Sequence, residues 1–153
     1  MNHHFFMKKA YKLAEYARSL GEVPVGAVLV ENNEIFSEGW NFSISSNDCT
    51  AHAEIMALRN ACLKKNNYRL NKNFSLYVTL EPCSMCLGAL IHSRIGKIIY
   101  GASDPKTGTL GGKLNLLNEG VSNTKIEIIH NIEQELCKNI LQDFFRARRK
   151  KTK

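Results

Sequence analysis

The run FSLYVTL, residues 74–80, carries an apolar, aromatic or β-branched side chain at every position except Ser75, and Pro82 stops it. A strand of this composition has no polar side to turn to water, so it belongs inside a sheet covered on both faces. SMCLGALIHSR reads as a helix that opens immediately after that proline. A buried strand feeding directly into a helix is the fixed point around which the rest of the chain must fold.

The remaining segments supply what such a strand needs. Phe6, Ala10, Leu13, Ala14 and Ala17 recur at helical spacing up to Gly21 and predict a first helix. PVGAVLV from Pro24, the turn residues ENNE and the run IFSEGW predict a hairpin, and residues 41–48 have the composition of a loop. Ile55, Leu58, Ala61 and Cys62 mark a second helix over 51–65, with Thr50 or Asp48 available as its cap. KIIYGA predicts a strand, SDPKTGTLGGK a glycine-rich loop and KIEIIH another strand. Residues 133–149 predict a final amphipathic helix built on Leu136, Ile140, Leu141 and Phe144. Helix, hairpin, then alternating helix and strand describe an α/β fold, a mixed sheet with helices on both faces.

No repeat or linker interrupts the 153 residues, so 1–153 reads as one domain ending in a basic tail, 146–153. The N-terminus lacks the order of a secretory signal and no apolar run approaches a membrane span, which points to a soluble, cytoplasmic protein. In that compartment the five cysteines are thiols or metal ligands. Of the net charge of +7, Arg146, Arg148, Arg149, Lys150, Lys151 and Lys153 supply all but +1. Such a run is either a solvated tail or a phosphate anchor.

The chemistry concentrates in two short stretches. Cys83 and Cys86 stand three apart where the buried strand gives way to a helix, so both lie on one helical face near amides that favour thiolate. His52, at the start of the second helix, adds an imidazole. Three such ligands would bind Zn²⁺ and leave a fourth position for water, the arrangement of catalytic zinc. Glu54 follows His52 by two residues; inside a helix the two would point apart, and only at a helix end can the carboxylate reach that water. Two other readings stay open. Cys49 could close the site as a fourth ligand, or the two cysteines could be a redox pair. Cys62 and Cys137 fall on apolar helical faces and read as core.

The H-x-E of His52 to Glu54 and the P-C-x-x-C of Pro82 to Cys86 resemble the zinc signature of the cytidine deaminase superfamily. EVPVGAVLV, GWN, TAHAEIMALR, YVTLEPCSMC, IHSRIGKIIYGASDPKTG and FFRARR make nearly the whole chain similar to the bacterial tRNA-specific adenosine deaminases. The resemblance implies a three-layer α/β/α sandwich with a central mixed five-stranded sheet. It also implies a homodimer with one zinc per subunit, held by His52, Cys83 and Cys86, with Glu54 as proton shuttle. The reaction implied is hydrolysis of adenosine to inosine by zinc-activated water, at the anticodon wobble position of an arginine tRNA. Asn41 would lie beside the target nucleotide. Asp104, Lys106, Phe145, Arg146, Arg148 and Arg149 become candidates for RNA contact, with Phe144 the weaker aromatic because core packing also explains it. The Ala53 and Cys83 amides would face the purine edge. Two positions depart from the family pattern: Cys49 stands where proline is common, and Phe42 where a basic residue is common. A deaminase of free guanine, cytosine or their nucleosides, and a non-catalytic zinc protein that binds RNA, are the alternatives.

Overall fold

The computed structural model describes residues 2–151, so Lys153 of the basic tail lies outside it. Helix α1 spans His3–Ser19, and the side chain of Asn2 caps it by accepting the Phe5 N–H at 3.0 Å. Gly21, at φ +81°, releases the chain from the helix. Strands β1 (Gly26–Glu31) and β2 (Glu34–Trp40) then form the expected hairpin. Its two turn residues, Asn32 and Asn33, both have positive φ, as a tight hairpin turn with the twist of its strands requires.

Helix α2 (Ser43–Ser46) is a single turn, and α3 spans Ala53–Lys65. Strand β3 (Phe74–Leu80) leads into α4 (Ser84–Ser93), followed by β4 (Lys97–Ala102), a 3₁₀ turn at Leu116–Glu119, β5 (Glu127–Ile129) and α5 (Gln134–Lys151). The sheet order is β2-β1-β3-β4-β5, with β1 antiparallel to both neighbours and β3, β4 and β5 parallel. The mixed five-stranded sheet is therefore as the resemblance implies.

Alternation along the strands divides the core in two. Ala27, Leu29, Leu76, Val78 and Ile98 face Ala57, Leu58 and Ala61 of α3 and Leu87 and Leu90 of α4. Val28, Val30, Tyr77 and Ile99 face Phe6, Met7 and Ala10 of α1 and Cys137 of α5. The two helical layers give the sandwich, and β3 is buried on both sides. Gly39 brings α3 down onto β2: a Cβ there would strike the backbone of Ala53 and Ala57.

The structure corrects several local expectations. Residues 41–48 are not all loop, because Glu22 gathers α2: its carboxylate accepts the Ile44 N–H at 3.0 Å and the Ser45 N–H and hydroxyl at 2.6 Å each. Helix α3 starts at Ala53, and Asp48 binds Thr50 instead of capping it. Leu136 is 40% exposed, since Cys137, Ile140 and Leu141 form the buried stripe of α5. Cys62 is half-buried and Cys137 fully buried, so both cysteines pack with the apolar interior.

Candidate metal centre and cleft

His52 and Cys83 occupy equivalent places. Each is the N-cap residue of its helix, α3 or α4, with extended backbone angles, and neither uses its side chain to cap. Both side chains are thereby free for another partner. Cys86 sits in the first turn of α4 and is buried. His52 Nδ1 lies 3.7 Å from Cys83 Sγ and 3.5 Å from Cys86 Sγ, and all three ligand atoms fall within 4.8 Å of one another. Zinc bonds of roughly 2.0 Å to nitrogen and 2.3 Å to sulfur meeting at tetrahedral angles span about 3.6 Å between donors, so this set fits a zinc ion.

Among the described residues no fourth histidine, cysteine or carboxylate joins the group. Cys49 is exposed and outside it, which removes the closed four-ligand arrangement. The cysteine pair shares its protons unequally. The hydrogen bond from Cys86, together with His52, pulls the Cys83 thiol down to about 4, while that same bond and burial push Cys86 well above the ordinary thiol range. Bonding to Cys83 raises His52. A preformed thiolate at a helix N-terminus is the state in which sulfur binds a cation.

Glu54 lies in the first turn of α3 with 3% of its surface exposed, and burial lifts its carboxyl to about 7. Because His52 stands outside the helix in an extended conformation, the opposition expected of positions two apart within a helix does not apply. Both side chains reach the same cleft of about 200 Å³, whose walls include Val25, Asn41, Cys83 and Asp104. The cavity is smaller than the roughly 300–1,000 Å³ of drug-sized pockets and suits one small ring system.

Asn41, just after β2, donates its N–H to Val25 O at 3.1 Å, and its Oδ1 accepts the Ala53 N–H at 2.8 Å. The Ala53 amide, expected at the purine edge, is therefore engaged by Asn41, and Ala53 itself is fully buried. The Asp104 carboxylate holds its own turn, accepting the Lys106 and Thr107 N–H groups at 2.9 and 3.2 Å and the Thr107 hydroxyl at 2.8 Å. Lys106 is exposed and does not line the cleft.

The structure brings Asn41, His52, Glu54, Cys83, Cys86 and Asp104 together, and sets the α5 candidates apart. Phe145 is 42% exposed, Arg146 pairs with Asp143 at 3.2 Å, and the Arg148 guanidinium lies 5.3 Å from the centre of the half-buried Phe144 ring. Arg148 and Arg149 are both exposed. The charge of Arg148 is nonetheless felt at Glu22, the carboxylate that gathers α2 directly after Asn41. Sequence reading missed Glu22 and Glu81, both buried carboxylates whose partners are backbone amides far along the chain.

The profile of the MafB19-like deaminase family matches residues 1–149. A Haemophilus influenzae protein named tRNA-specific adenosine deaminase is 49% identical over 148 residues, covering 96% of this chain and 85% of that protein. A Bacillus subtilis protein of the same name is 44% identical, covering 97% and 91%. The chain belongs to the family of tRNA-specific adenosine deaminases. This family member also superposes on a solved tRNA:A34 deaminase with a TM-score of 0.86 and 36% identity, covering 90% of this chain and 99% of the other. A guanine deaminase from Bacillus subtilis aligns with a TM-score of 0.66 and 34% identity, over 82% and 84% of the two chains.

Proposed function

We propose that residues 1–153 act as one domain that hydrolyses adenosine to inosine, releasing ammonia, at the wobble position of an arginine tRNA anticodon. The observation that carries this reading is the buried Glu54 carboxyl sharing one small cleft with a three-donor cluster of His52, Cys83 and Cys86. Zinc held by those donors would supply a Lewis acid that makes a water molecule acidic near neutral pH. Glu54 takes the proton from water, delivers it to N1 of adenine and then serves the departing ammonia, so one carboxyl does both acid and base work. Asn41 orients the base from its place in the cleft wall, while its Oδ1 stays fixed on Ala53 between His52 and Glu54.

An anticodon loop suits such a cleft, because its bases are unpaired and turning one outward costs little. Phe145 offers an exposed ring for stacking, and Arg146, Arg148, Arg149 and Lys106 offer charge for phosphates. Two copies pair as a homodimer in this reading, in the cytoplasm where tRNA is found. No described helix is long and apolar enough to cross a membrane.

The likeness to the Bacillus subtilis guanine deaminase keeps a second reading, deamination of a free base or nucleoside by the same side chains. The basic end of α5 favours RNA, since a small neutral base gains nothing from such a field. The deciding experiment measures inosine in an arginine tRNA, with metal content determined on the same sample, beside ammonia release from guanine, cytosine and their nucleosides. Ammonia release from the free bases without inosine in the tRNA would replace the first reading by the second.

A further inference from the structure

Glu81 immediately precedes Pro82 and Cys83, is 2% exposed, and has no part in the reaction described above. Its carboxylate is spent on one loop. Oε1 accepts the Asp104 N–H at 2.9 Å, and Oε2 accepts the N–H groups of Leu110 and Gly112 at 2.8 and 2.9 Å. A buried carboxylate must be met by donors of this kind, and bonds to an ionised acceptor are about twice as strong as neutral ones. The loop is thus tied at its start and near its end to a single side chain.

Two of the three glycines of TGTLGG, Gly108 and Gly112, have the same explanation. A Cβ on Gly108 or on Gly112 would overlap the Glu81 carboxyl group and the Asp104 carbonyl oxygen. Neither glycine has positive φ, so space and not backbone torsion demands them, in contrast to Gly111 at φ +122°. Thr109 adds a second tie, donating its N–H and its hydroxyl to Pro82 O at 3.2 and 2.9 Å. Glu81 and Pro82 therefore carry the loop; Glu81 itself borders the cleft, Asp104 and Thr107 on that loop extend the wall, and Lys106 projects from its turn.

We propose that Glu81 is a positioning residue: it fixes the 104–112 loop as the wall against which the RNA strand beside the reacting nucleotide lies, acting through the loop and not through the metal-ligand turn. This rests on the tRNA reading above for its ligand, and on geometry alone for the clamp. A displaced wall leaves the metal donors intact but weakens the grip along the strand.

The test is Glu81→Gln in the full chain purified with zinc. The amide keeps the size of the side chain but turns an NH₂ group toward one of the two sets of backbone donors. Hydrogen exchange of the Asp104, Leu110 and Gly112 amides, zinc per chain, affinity for an anticodon stem-loop by fluorescence anisotropy, and KM and kcat on that stem-loop are measured together. The expected result is exchange faster by at least about tenfold at the set of amides that meets the NH₂ group, and stem-loop affinity about tenfold weaker, the scale of one charge-assisted hydrogen bond removed. Zinc content stays at the wild-type level and KM rises by a larger factor than kcat falls. Wild-type exchange overturns the clamp; loss of zinc, or a fall in kcat exceeding the rise in KM, overturns its action through the loop. Gly108→Ala leaves the carboxylate in place and pushes the loop away, so it is expected to weaken stem-loop affinity as well, and wild-type affinity there counts against the proposal. Should wild-type protein make no inosine, the tRNA reading fails, while exchange and affinity still decide what Glu81 does.

Discussion

The side-chain oxygen of Asn41 accepts the Ala53 N–H at 2.8 Å, so the residue just after β2 satisfies the first turn of the helix that carries Glu54. Helix N-termini leave four N–H groups without intrahelical partners, and here one of them is met by the residue that follows β2. Asn41 thus joins the end of β2 to the helix that carries the acid, and both side chains line the cleft.

That dual role can be separated by two substitutions. Asn41→Ala removes acceptor and donor together and is expected to cost about 1 kcal/mol of stability, the usual worth of a cap, along with a large loss of kcat/KM. Asn41→Asp keeps the acceptor for Ala53 but has no NH₂ to offer a base. It is expected to retain stability in urea unfolding yet lose activity. Equal activity in Asn41→Asp and wild type would confine Asn41 to capping.

Glu54 occupies a buried position that an uncommitted carboxylate would avoid, since an ionised group loses its hydration there. Glu54→Ala is expected to lower inosine formation by roughly 10²–10⁴-fold, the range of general acid–base catalysis, while zinc content stays at the wild-type level. Metal analysis and single-turnover deamination on one preparation check this. Full activity would remove Glu54 from the chemistry.

Cys49 is exposed and outside the donor cluster, although it lies three residues before His52 in the sequence. Cys49→Ser is therefore expected to leave both zinc content and turnover unchanged. Loss of metal in that variant would restore the closed site of three sulfurs and one nitrogen that the geometry rejects.

Glu22 gives a dependence of stability on pH. Burial alone pushes its carboxyl upward, but hydrogen bonds from Ser45 and Ile44, with the charge of Arg148, more than offset this and hold it below the ordinary 4.5. A carboxyl depressed in the folded state contributes stability that is present above its unfolded value and lost as pH falls through its folded value. Wild-type stability is expected to fall as the pH drops below about 4.5, and Glu22→Gln is expected to weaken that fall while lowering stability at neutral pH. Urea titrations from neutral to acid pH measure both, and an unchanged acid limb in the variant would show that other carboxyls govern it.

What could be read from the chain and what could not divide on physical grounds. Strand β3, helix α4 and the pairs His52 with Glu54 and Cys83 with Cys86 are visible because composition and spacing act over a few residues. Glu81 reaches amides 23 to 31 residues onward, and Glu22 binds residues 22 and 23 onward, distances over which a single sequence carries no period. The glycines at 108 and 112 were a signal of crowding, but nothing beside them names the carboxyl they accommodate. Leu136 misled for a simpler reason: position on an amphipathic helix is read to about one residue, and the buried stripe runs through Cys137.

The basic end of α5 offers the clearest separation of binding from chemistry. Removing residues 148–153 deletes Arg148, Arg149, Lys150, Lys151 and Lys153, and each phosphate left without its cation should flatten the slope of log affinity against log salt by roughly 0.7 to 0.9. If about three of the five meet phosphates, the slope should shrink by about 2 and stem-loop affinity should fall most at low salt. The same deletion uncovers the Phe144 ring now shielded by Arg148, an interaction worth about 0.5–1 kcal/mol at an exposed site, so a small loss of stability is expected too. Zinc content should not change, because no ligand lies in α5. Affinity measured from about 50 to 200 mM salt on full-length and shortened proteins decides the matter: a common slope would make the tail a solvated end, and a flatter one makes it the anchor for the anticodon stem.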